Sequence, residues 1–440
     1  MKYLQWPITT LEQICLKIGD GSHYSPSSVS EGLPMASVKD LTTFGITIES
    51  CRHILEDDFN RLVRQGSKPV VGDVLIAKDG ATALDTVCEV KQPLDIVLLS
   101  SIAILRPNPQ KVTSTYLRYF LESPTTRSYM KGSFISGAAI PRVVLKDFKR
   151  VNINIPPLIT QRKIAAILSA YDDLIENNLK RIRILEKMAQ NIYHEWFVNF
   201  RFPGYENVKM VDSVLGMVPD GWEVKQIGEL LDSYMGGDWG SEVSTITENV
   251  PVIIIRGADL RDLLCGSEAN TPRRYIKQKS AQRKKLREGD IIVENSVNAT
   301  SRSVGTSLLI TRGLLNRLRE DAVPASFCKR FSPKYPDQGV LIHRHLQFLR
   351  ENHKMEFYQH VATNGIANFQ CERFVQNELL AIPQKGELLT NILKMLNDIS
   401  SSSLADKIDN LRQTRDLLLP KLISGEIDVS DLDIKMREPA

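Results

Sequence analysis

The 440-residue sequence predicts an α/β (α+β) protein: two tandem mixed α/β domains separated by two long helices packed as an antiparallel coiled coil, the halves related by a pseudo-twofold axis. Three observations predict this. Segments recur in the same order about 217 residues apart. Short apolar runs with β patterning alternate with helical periods inside each copy. Each copy then leads into an apolar stripe with steps of three and four.

The recurrence shows first in a plain turn. "VGDVLIAKDGAT" (71–82) returns as "EGDIIVENSVNAT" (288–300), with Gly289 in the place of Gly72. "WPITTLEQI" from Trp6 matches "WEVKQIGEL" from Trp222, and "LPMASVKDL" ending at Leu41 matches "VPVIIIRGADL" ending at Leu260. Gly137 aligns with Gly365 and Pro156 with Pro383, at offsets of 228 and 227. Five pairs in order at near-constant spacing indicate a duplicated domain. The second copy carries about ten extra residues in its middle. Runs such as "DVLIA" (73–77), "DIVLLSSIAIL" (95–105), "VPVIII" (250–255) and "DIIVE" (290–294) read as strands. "TSTYLRYFLES" (113–123) and "GVLIHRHLQFLREN" (339–352) read as helices. The expected boundaries are 1–157 for the first domain, 158–200 for a central helix and 201–219 for a linker. The second domain then runs over 220–384, a C-terminal helix over 385–426 and a tail over 427–440.

After Pro156–Pro157, Thr160 can cap a helix starting near Gln161 and reaching about residue 199. Its seam is Ile164, Leu168, Tyr171, Ile175, Asn178, Ile182, Leu185, Ala189, Ile192 and Trp196, with one amide at Asn178. The second stripe starts with Leu389, Ile392, Leu396 and Ile399 and is broken at "SSSS" (400–403), where a bend or one-residue slip is expected. It resumes with Leu404, Ile408, Leu411, Leu418 and Leu422, Arg415 taking one slot; Pro420 can kink the end and Gly425 can stop it. A core helix within its own domain is the plainer reading of either stripe. Two stripes after two copies of one domain favour pairing with each other. The long connection makes that pairing antiparallel, giving a rod with one domain at each end.

Net charge is +4, but residues 261–330 hold fifteen Lys and Arg against seven Asp and Glu. That local excess suits either a solvated surface or a polyanion. No apolar run reaches the length of a membrane span, and "MKYLQWPITTLEQI" lacks signal-peptide features. Six scattered cysteines without a CxxC pair read as reduced thiols, so the expectation is a soluble, cytoplasmic chain. Two similar modules on a rod suit two half-sites on DNA, one turn being about 34–36 Å.

Catalytic signatures do not assemble. "NIPPL" (154–158) has the wrong spacing for an amino-methyltransferase motif, and no phosphate-binding GxxxxGK[ST] loop occurs. In "PDGWEVK" (219–225), Asp220, Glu223 and Lys225 lie too close together to come from separate strands around a metal. "HRH" (343–345) reads as surface histidines rather than metal ligands, because positions i and i+2 face apart on a helix. "YHEWF" (193–197) reads as packing in preference to a landing patch for a partner.

The chain resembles the specificity subunits of type I restriction–modification enzymes over essentially its full length. The resemblance rests on "IGDGSHYSP" (18–26), "GLPMASVKDL" (32–41), "VGDVLIAKDGAT", "SGAAIPRVVLKDF" (136–148), "PPLITQRKIAAILSAYDDLIENN" (156–178), "VPDGWEVKQIGEL" (218–230) and "TRDLLLPKLISGEIDVSDL" (414–432). The second domain departs from it with "MGGDWGS" (235–241) in place of "GDGSH". The resemblance implies two target-recognition domains, each reading half of a bipartite site on double-stranded DNA, with a helical spacer between them. It implies two methyltransferase subunits docked on the helices, with restriction subunits joining them. This chain would itself be non-catalytic and prokaryotic. S-adenosylmethionine, ATP and Mg2+ would be bound by the partner subunits and no cofactor by this chain. The candidate DNA contacts are basic residues in the divergent segments. They are Lys39, Lys78 and Arg142 in the first domain, and Arg273, Arg274, Lys277, Arg283, Lys284 and Arg302 in the second. The alternative is a coiled-coil assembly scaffold whose globular domains bind proteins.

Overall fold

The computed structural model describes residues 6–135, 141–266, 271–298, 304–384, 386–400 and 403–434. The chain divides into two compact units, residues 1–176 with 412–440, and residues 177–411. That division cuts through both long helices, whereas the sequence-based boundaries run along them. Each helix gives one part of its length to the core of each unit.

In the first unit, Ile8–Thr10 pairs antiparallel with Asn152–Asn154. Four strands follow in the order Cys15–Asp20, Ile102–Pro107, Val74–Ala77, Val87–Glu89, all antiparallel. A third sheet places Leu33–Ala36 between Arg52–Ile54 and Val97–Leu98, the last pair being parallel. Alternation explains the continuous apolar runs. Val74, Ile76, Ala103 and Leu105 enter one core with Tyr116, Leu117 and Phe148, while Leu75, Ala77, Ile102 and Ile104 enter another with Ala36 and Leu98.

The second unit repeats all three sheets. Trp222–Gln226 pairs with Leu379–Pro383. The four-stranded sheet runs Leu231–Gly236, Cys328–Pro333, Ile291–Glu294, Ser307–Leu309. Val250–Ile255 lies between Arg273–Ile276, antiparallel, and Ala322–Pro324, parallel. Strand order and orientation match the first unit throughout. Each copy also has its own additions, a small hairpin at Leu41–Thr42 and Gly45–Ile46 in the first and a sheet of Ser296–Asn298, Ile366–Phe369 and Gln359–Val361 in the second.

The repeated Gly-Asp is framework. Gly72 and Gly289 have φ of 88° and 86°, a left-handed turn that glycine adopts without strain. The aspartate that follows is then buried under the sheet. Asp73 accepts from Val70 N at 2.9 Å and from Arg106 Nε and Nη2 at 2.8 and 2.9 Å. Asp290 accepts from Arg287 N at 2.7 Å and Arg330 Nε at 2.7 Å. Both copies seal a tight turn with a charge pair, but Arg330 comes from two positions earlier on its strand than Arg106, and Ser332, in the place of Arg106, adds a hydrogen bond to Asp290 at 2.7 Å.

The central helix is continuous over Leu158–Tyr193 and closes in a single π turn, His194–Val198. It begins earlier than the sequence suggests, and Thr160 is buried in its first turn instead of capping it. The start is fixed by Gln161, fully buried, whose carboxamide donates to Lys111 O and Pro156 O and accepts from Thr113 N at 2.9–3.0 Å. The second stripe forms two helices, Glu387–Ser400 and Leu404–Ser424, with the break where the serines predict it; Ser401 and Ser402 lie outside the described residues. Pro420 lies inside the last helix, which ends before Gly425 at a φ of 75°.

Within each unit the helix segments pack antiparallel. In the first, Ile164 and Leu168 share a core with Leu419, Leu422 and Ile423. Asp172 meets Arg415 at 2.8 Å, and Lys163 reaches Ser430 O. In the second, Ala189 and Tyr193 share a core with Leu389, Ile392 and Leu396. Of the expected seam, Ile164, Leu168, Ile175, Asn178, Ile182, Leu404, Ile408 and Leu422 are buried. Tyr171, Leu185, Ile192, Leu411 and Leu418 are half-buried. Much of the stripe faces a domain core as well as the opposite helix.

One buried arginine joins helix to domain in each unit. Arg118, 2% exposed, meets Asp172 at 2.5 Å and Glu122 at 3.0 Å, and Asp172 also accepts from Tyr119 Oη at 2.6 Å. Arg344, 1% exposed, meets Glu186 at 2.5 and 3.1 Å, Ser400 Oγ at 2.7 Å and Gln347 at 2.8 Å. Burial opposes ionisation of Asp172, but Arg118 and Arg415 outweigh it and hold the carboxyl below its usual range.

Removing one member of a buried charge pair leaves the other uncompensated, at a cost of about 3–5 kcal/mol. Asp290→Ala is therefore expected to lower the stability of the second unit by about that amount, because Arg330 loses its carboxylate. Urea unfolding followed by Trp222 and Trp239 fluorescence in that unit reads the loss.

Candidate nucleic-acid interface

In the first domain, two of the motif segments that carry the resemblance meet. Asp20 ends the strand Cys15–Asp20, and Lys78 and Asp79 follow Val74–Ala77. Lys78 Nζ lies 3.4 Å from Asp20 and 3.2 Å from Asp79, Arg142 Nε is 3.2 Å from Asp79, and His23 Nε2 is 3.3 Å from Asp20. Lys78 is only 4% exposed, so it is not the surface cation that the sequence suggests. The buried pleat of its strand continues through residue 78, and two carboxylates compensate the charge. Arg142 and His23 face solvent at the rim of this cluster. Lys39 stands exposed on the turn Val38–Asp40, which buried Asp40 ties down through Ser37 and Ser50.

In the second domain, Arg273 and Arg274 point to opposite faces of the strand Arg273–Ile276. Arg273 is exposed and pairs with Glu320 at 2.5 Å. Arg274 is half-buried, pairs with Glu242 at 2.8 Å and lies 5.2 Å over the Trp239 ring. Lys277 stands exposed at the residue before the helix Gln278–Lys284, and Arg283 is exposed on that helix. Lys284 turns inward to Gly237 O at 2.7 Å and Asp238 at 3.3 Å. Arg302 lies outside the described residues.

The basic excess of 261–330 is smaller than its sequence count implies. Among the described residues, seven of its fifteen cations, Arg273, Arg274, Lys284, Lys285, Arg312, Arg317 and Arg330, form ion pairs within the protein. Lys277, Lys279, Arg283 and Arg287 are exposed and form no ion pair among the described residues. They sit on one short helix and the turn after it, the part of the excess open to a polyanion.

The structure also resolves the departure at "MGGDWGS". Gly21 and Gly237 occupy equivalent places, and each passes against backbone. A Cβ on Gly21 would come within 2.2 Å of Leu98 O, and one on Gly237 within 2.0 Å of Pro324 O. Just beyond each glycine an exposed aromatic is stacked with a guanidinium: Tyr24 lies under Arg61 at 4.1 Å, and Trp239 under Arg274. Such a cation–π contact restrains a ring that stays partly in solvent. Tyr24, Arg61 and Trp239 escaped sequence reasoning because no fixed spacing links each ring to its arginine.

The histidines of "HRH" are not at the surface. His345 shares hydrogen bonds with Tyr193 Oη at 2.7 Å and Glu378 at 2.8 Å, and His343 with Ser307 at 3.0 Å. The helix Gly339–Glu351 is buried on more than one face, which its mixed pattern hid. "YHEWF" is packing, as expected: Tyr193 and Phe197 stack at 5.2 Å in the core of the second unit. Burial pushes the thiols of Cys15, Cys88, Cys328 and Cys371 up to about 12 and Cys51 to about 11, so none of these five is a thiolate near neutrality. Among the described residues, no three His, Cys, Asp or Glu side chains group as a metal site, and no helix is long and apolar enough to cross a membrane.

The class of protein is thus a pair of similar presenting domains, each fixed to antiparallel helix segments. Residues 65–187 match the family described as the type I restriction modification DNA specificity domain. The type I restriction enzyme MjaIX specificity subunit of Methanocaldococcus jannaschii is 28% identical over 333 residues, covering 73% of this chain and 71% of that one. The HindI specificity subunit of Haemophilus influenzae is 21% identical over 383 residues, covering 75% and 81%. The solved S subunit from M. genitalium aligns over 95% of this chain and 96% of its own at 14% identity, with a TM-score of 0.48. Residues 65–187 thus carry the likeness to the type I specificity domain, and about three quarters of the chain is similar to specificity subunits of type I restriction enzymes.

Burial, then the Arg344 charge, depresses the His343 pKa from about 6.5 to about 3. The folded value lies below the unfolded one, so the unfolded chain binds the extra proton between them. The stabilisation is complete above about pH 6.5 and is lost as pH falls towards 3, at about 1.4 kcal/mol per pH unit. Between pH 6.5 and 5, His343→Gln is expected to remove one proton's worth of this slope. Urea melts at several pH values check it.

Proposed function

We propose that this chain is the DNA sequence-specificity subunit of a type I restriction–modification complex, with each domain reading one half of a bipartite site. What carries the reading is the strand-for-strand duplication of a domain in a chain similar to these specificity subunits, with unlike loops on like frameworks. One framework serves one task twice, and different loops suit two different half-sites. The chain itself would be non-catalytic. It would position two methyltransferase subunits, one per half-site, with restriction subunits added to them. S-adenosylmethionine, ATP and Mg2+ would act on those partners, in the cytoplasm of a prokaryotic cell. Arg142, Lys39, Lys277 and Arg283 would hold phosphate, and the loops at Tyr24 and Trp239 would meet the bases. Lys78 would act indirectly, by holding Asp79 and thereby Arg142. The scaffold alternative gains no support from relatives that are named specificity subunits.

The test is methylome sequencing of host DNA with and without this gene, the methyltransferase partner being present in both. Loss of one bipartite modified motif supports the reading, and an unchanged methylome with the protein expressed returns the scaffold. Lys277→Ala and Arg283→Ala are each expected to weaken binding uniformly across DNA sequences. Each should flatten the slope of log K against log salt by about 0.9. Fluorescence anisotropy at several salt concentrations measures this.

A further inference from the structure

The two buried clamps are repeats of one another, but their charges are redistributed. Arg118 and Arg344 are equivalent, separated by nearly the spacing that parts Gly137 from Gly365 in the flanking framework. At that same spacing, Asp172 on the helix after copy one corresponds to Ser400 after copy two. After the one-residue slip at the serines, Glu186 corresponds to Arg415. In the first unit, Arg118 binds the acid of its own copy's helix, Asp172, and the helix from the other copy contributes Arg415. In the second unit, the own-copy position is uncharged Ser400 and the other copy's helix contributes the acid, Glu186.

We propose that Glu186 and Arg415 form a pairing code that makes unlike copies associate and keeps like copies apart. The arithmetic follows from the residues. If helices of copy one paired with each other, Arg118 and Asp172 would face Glu186 in place of Arg415. Two carboxylates would then crowd a site that already holds Glu122. If helices of copy two paired with each other, Arg344 would face Arg415 across Ser400, two guanidiniums without an acid. Only the unlike combination neutralises both sites, and these sites are nearly closed to water, where mismatched charge is least tolerated. Apolar seam residues give no such choice, since they are alike in both stripes. The partner excluded by the code is a second copy of this chain joined through like halves. On the function proposed above, and resting on it, the code keeps two different half-sites on one chain, where like pairing would read a symmetric site.

The full-length chain tests this without DNA, so failure of the code is separable from failure of the DNA reading. Light scattering after size exclusion is expected to give the mass of one chain for the wild type. Exchanging the code in Glu186→Arg/Arg415→Glu makes both like pairings complementary and both unlike pairings mismatched, so the double variant is expected at the mass of two chains. Adding Asp172→Ser, Ser400→Asp, Glu122→Phe and Phe348→Glu exchanges the two clamps whole, Phe348 standing where copy one has Glu122, and this sixfold variant is expected to restore unlike pairing and return the mass of one chain. A double variant that stays folded at the mass of one chain overturns the proposal, as does a wild type already at the mass of two. If the double variant aggregates, the sixfold variant decides. A folded single chain upholds the code, and aggregation there as well overturns it.

Discussion

Each unit depends on an arginine taken almost wholly out of water. Arg118 and Arg344 are the two largest side chains that are fully buried, and each bridges a domain helix to the long helices. Burying a guanidinium costs far more than any surface pair returns, so the charge survives inside only with its carboxylate and hydrogen bonds in place. That requirement gives the clamp its directional character. Apolar contacts tolerate sliding, whereas Arg344 needs both oxygens of Glu186 and the hydroxyl of Ser400 at fixed positions. The orientation of each domain on its helix segments follows.

The helices contribute as much to the domains as to each other. Tyr193 and Phe197, from the helix that follows copy one, lie in the core of the second unit with Trp222. Leu419, Leu422 and Val429, from the end of the chain, lie in the core of the first. Each core is therefore completed by chain from the other half. A domain of roughly 150 residues gains buried apolar surface by this exchange, and it gives up independence from the spacer.

Framework and reading surface separate cleanly in physical terms. The sealed Gly-Asp turns, the capped turns at Asp40 and Asp259, and the close approaches at Gly21 and Gly237 sit where backbone or buried charge leaves no latitude. The exposed aromatics, His23, Lys39, Arg142 and the Lys277–Arg287 stretch sit where solvent leaves much. A duplicated gene can hold the first set while varying the second, as the proposed reading of two unlike half-sites requires.

The sequence by itself determined the duplication, the α/β class, the two stripes, the break at the serines and the likeness to type I specificity subunits. All of these are written in local periodicity and in spacing between copies, which survive without coordinates. Only the tertiary structure decided which cations are free. Lys78, Arg330 and Lys284 read like any basic residue until Asp20, Asp290 and Asp238 arrive from elsewhere in the chain. It also moved His343 and His345 inside, since a helix buried on more than one side loses the clean amphipathic period that sequence reading relies on. The aromatic–arginine stacks and the exchanged charges of the two clamps were illegible for the same reason: each joins residues whose separation in sequence carries no rule, and only the folding of the chain brings them within a few ångströms.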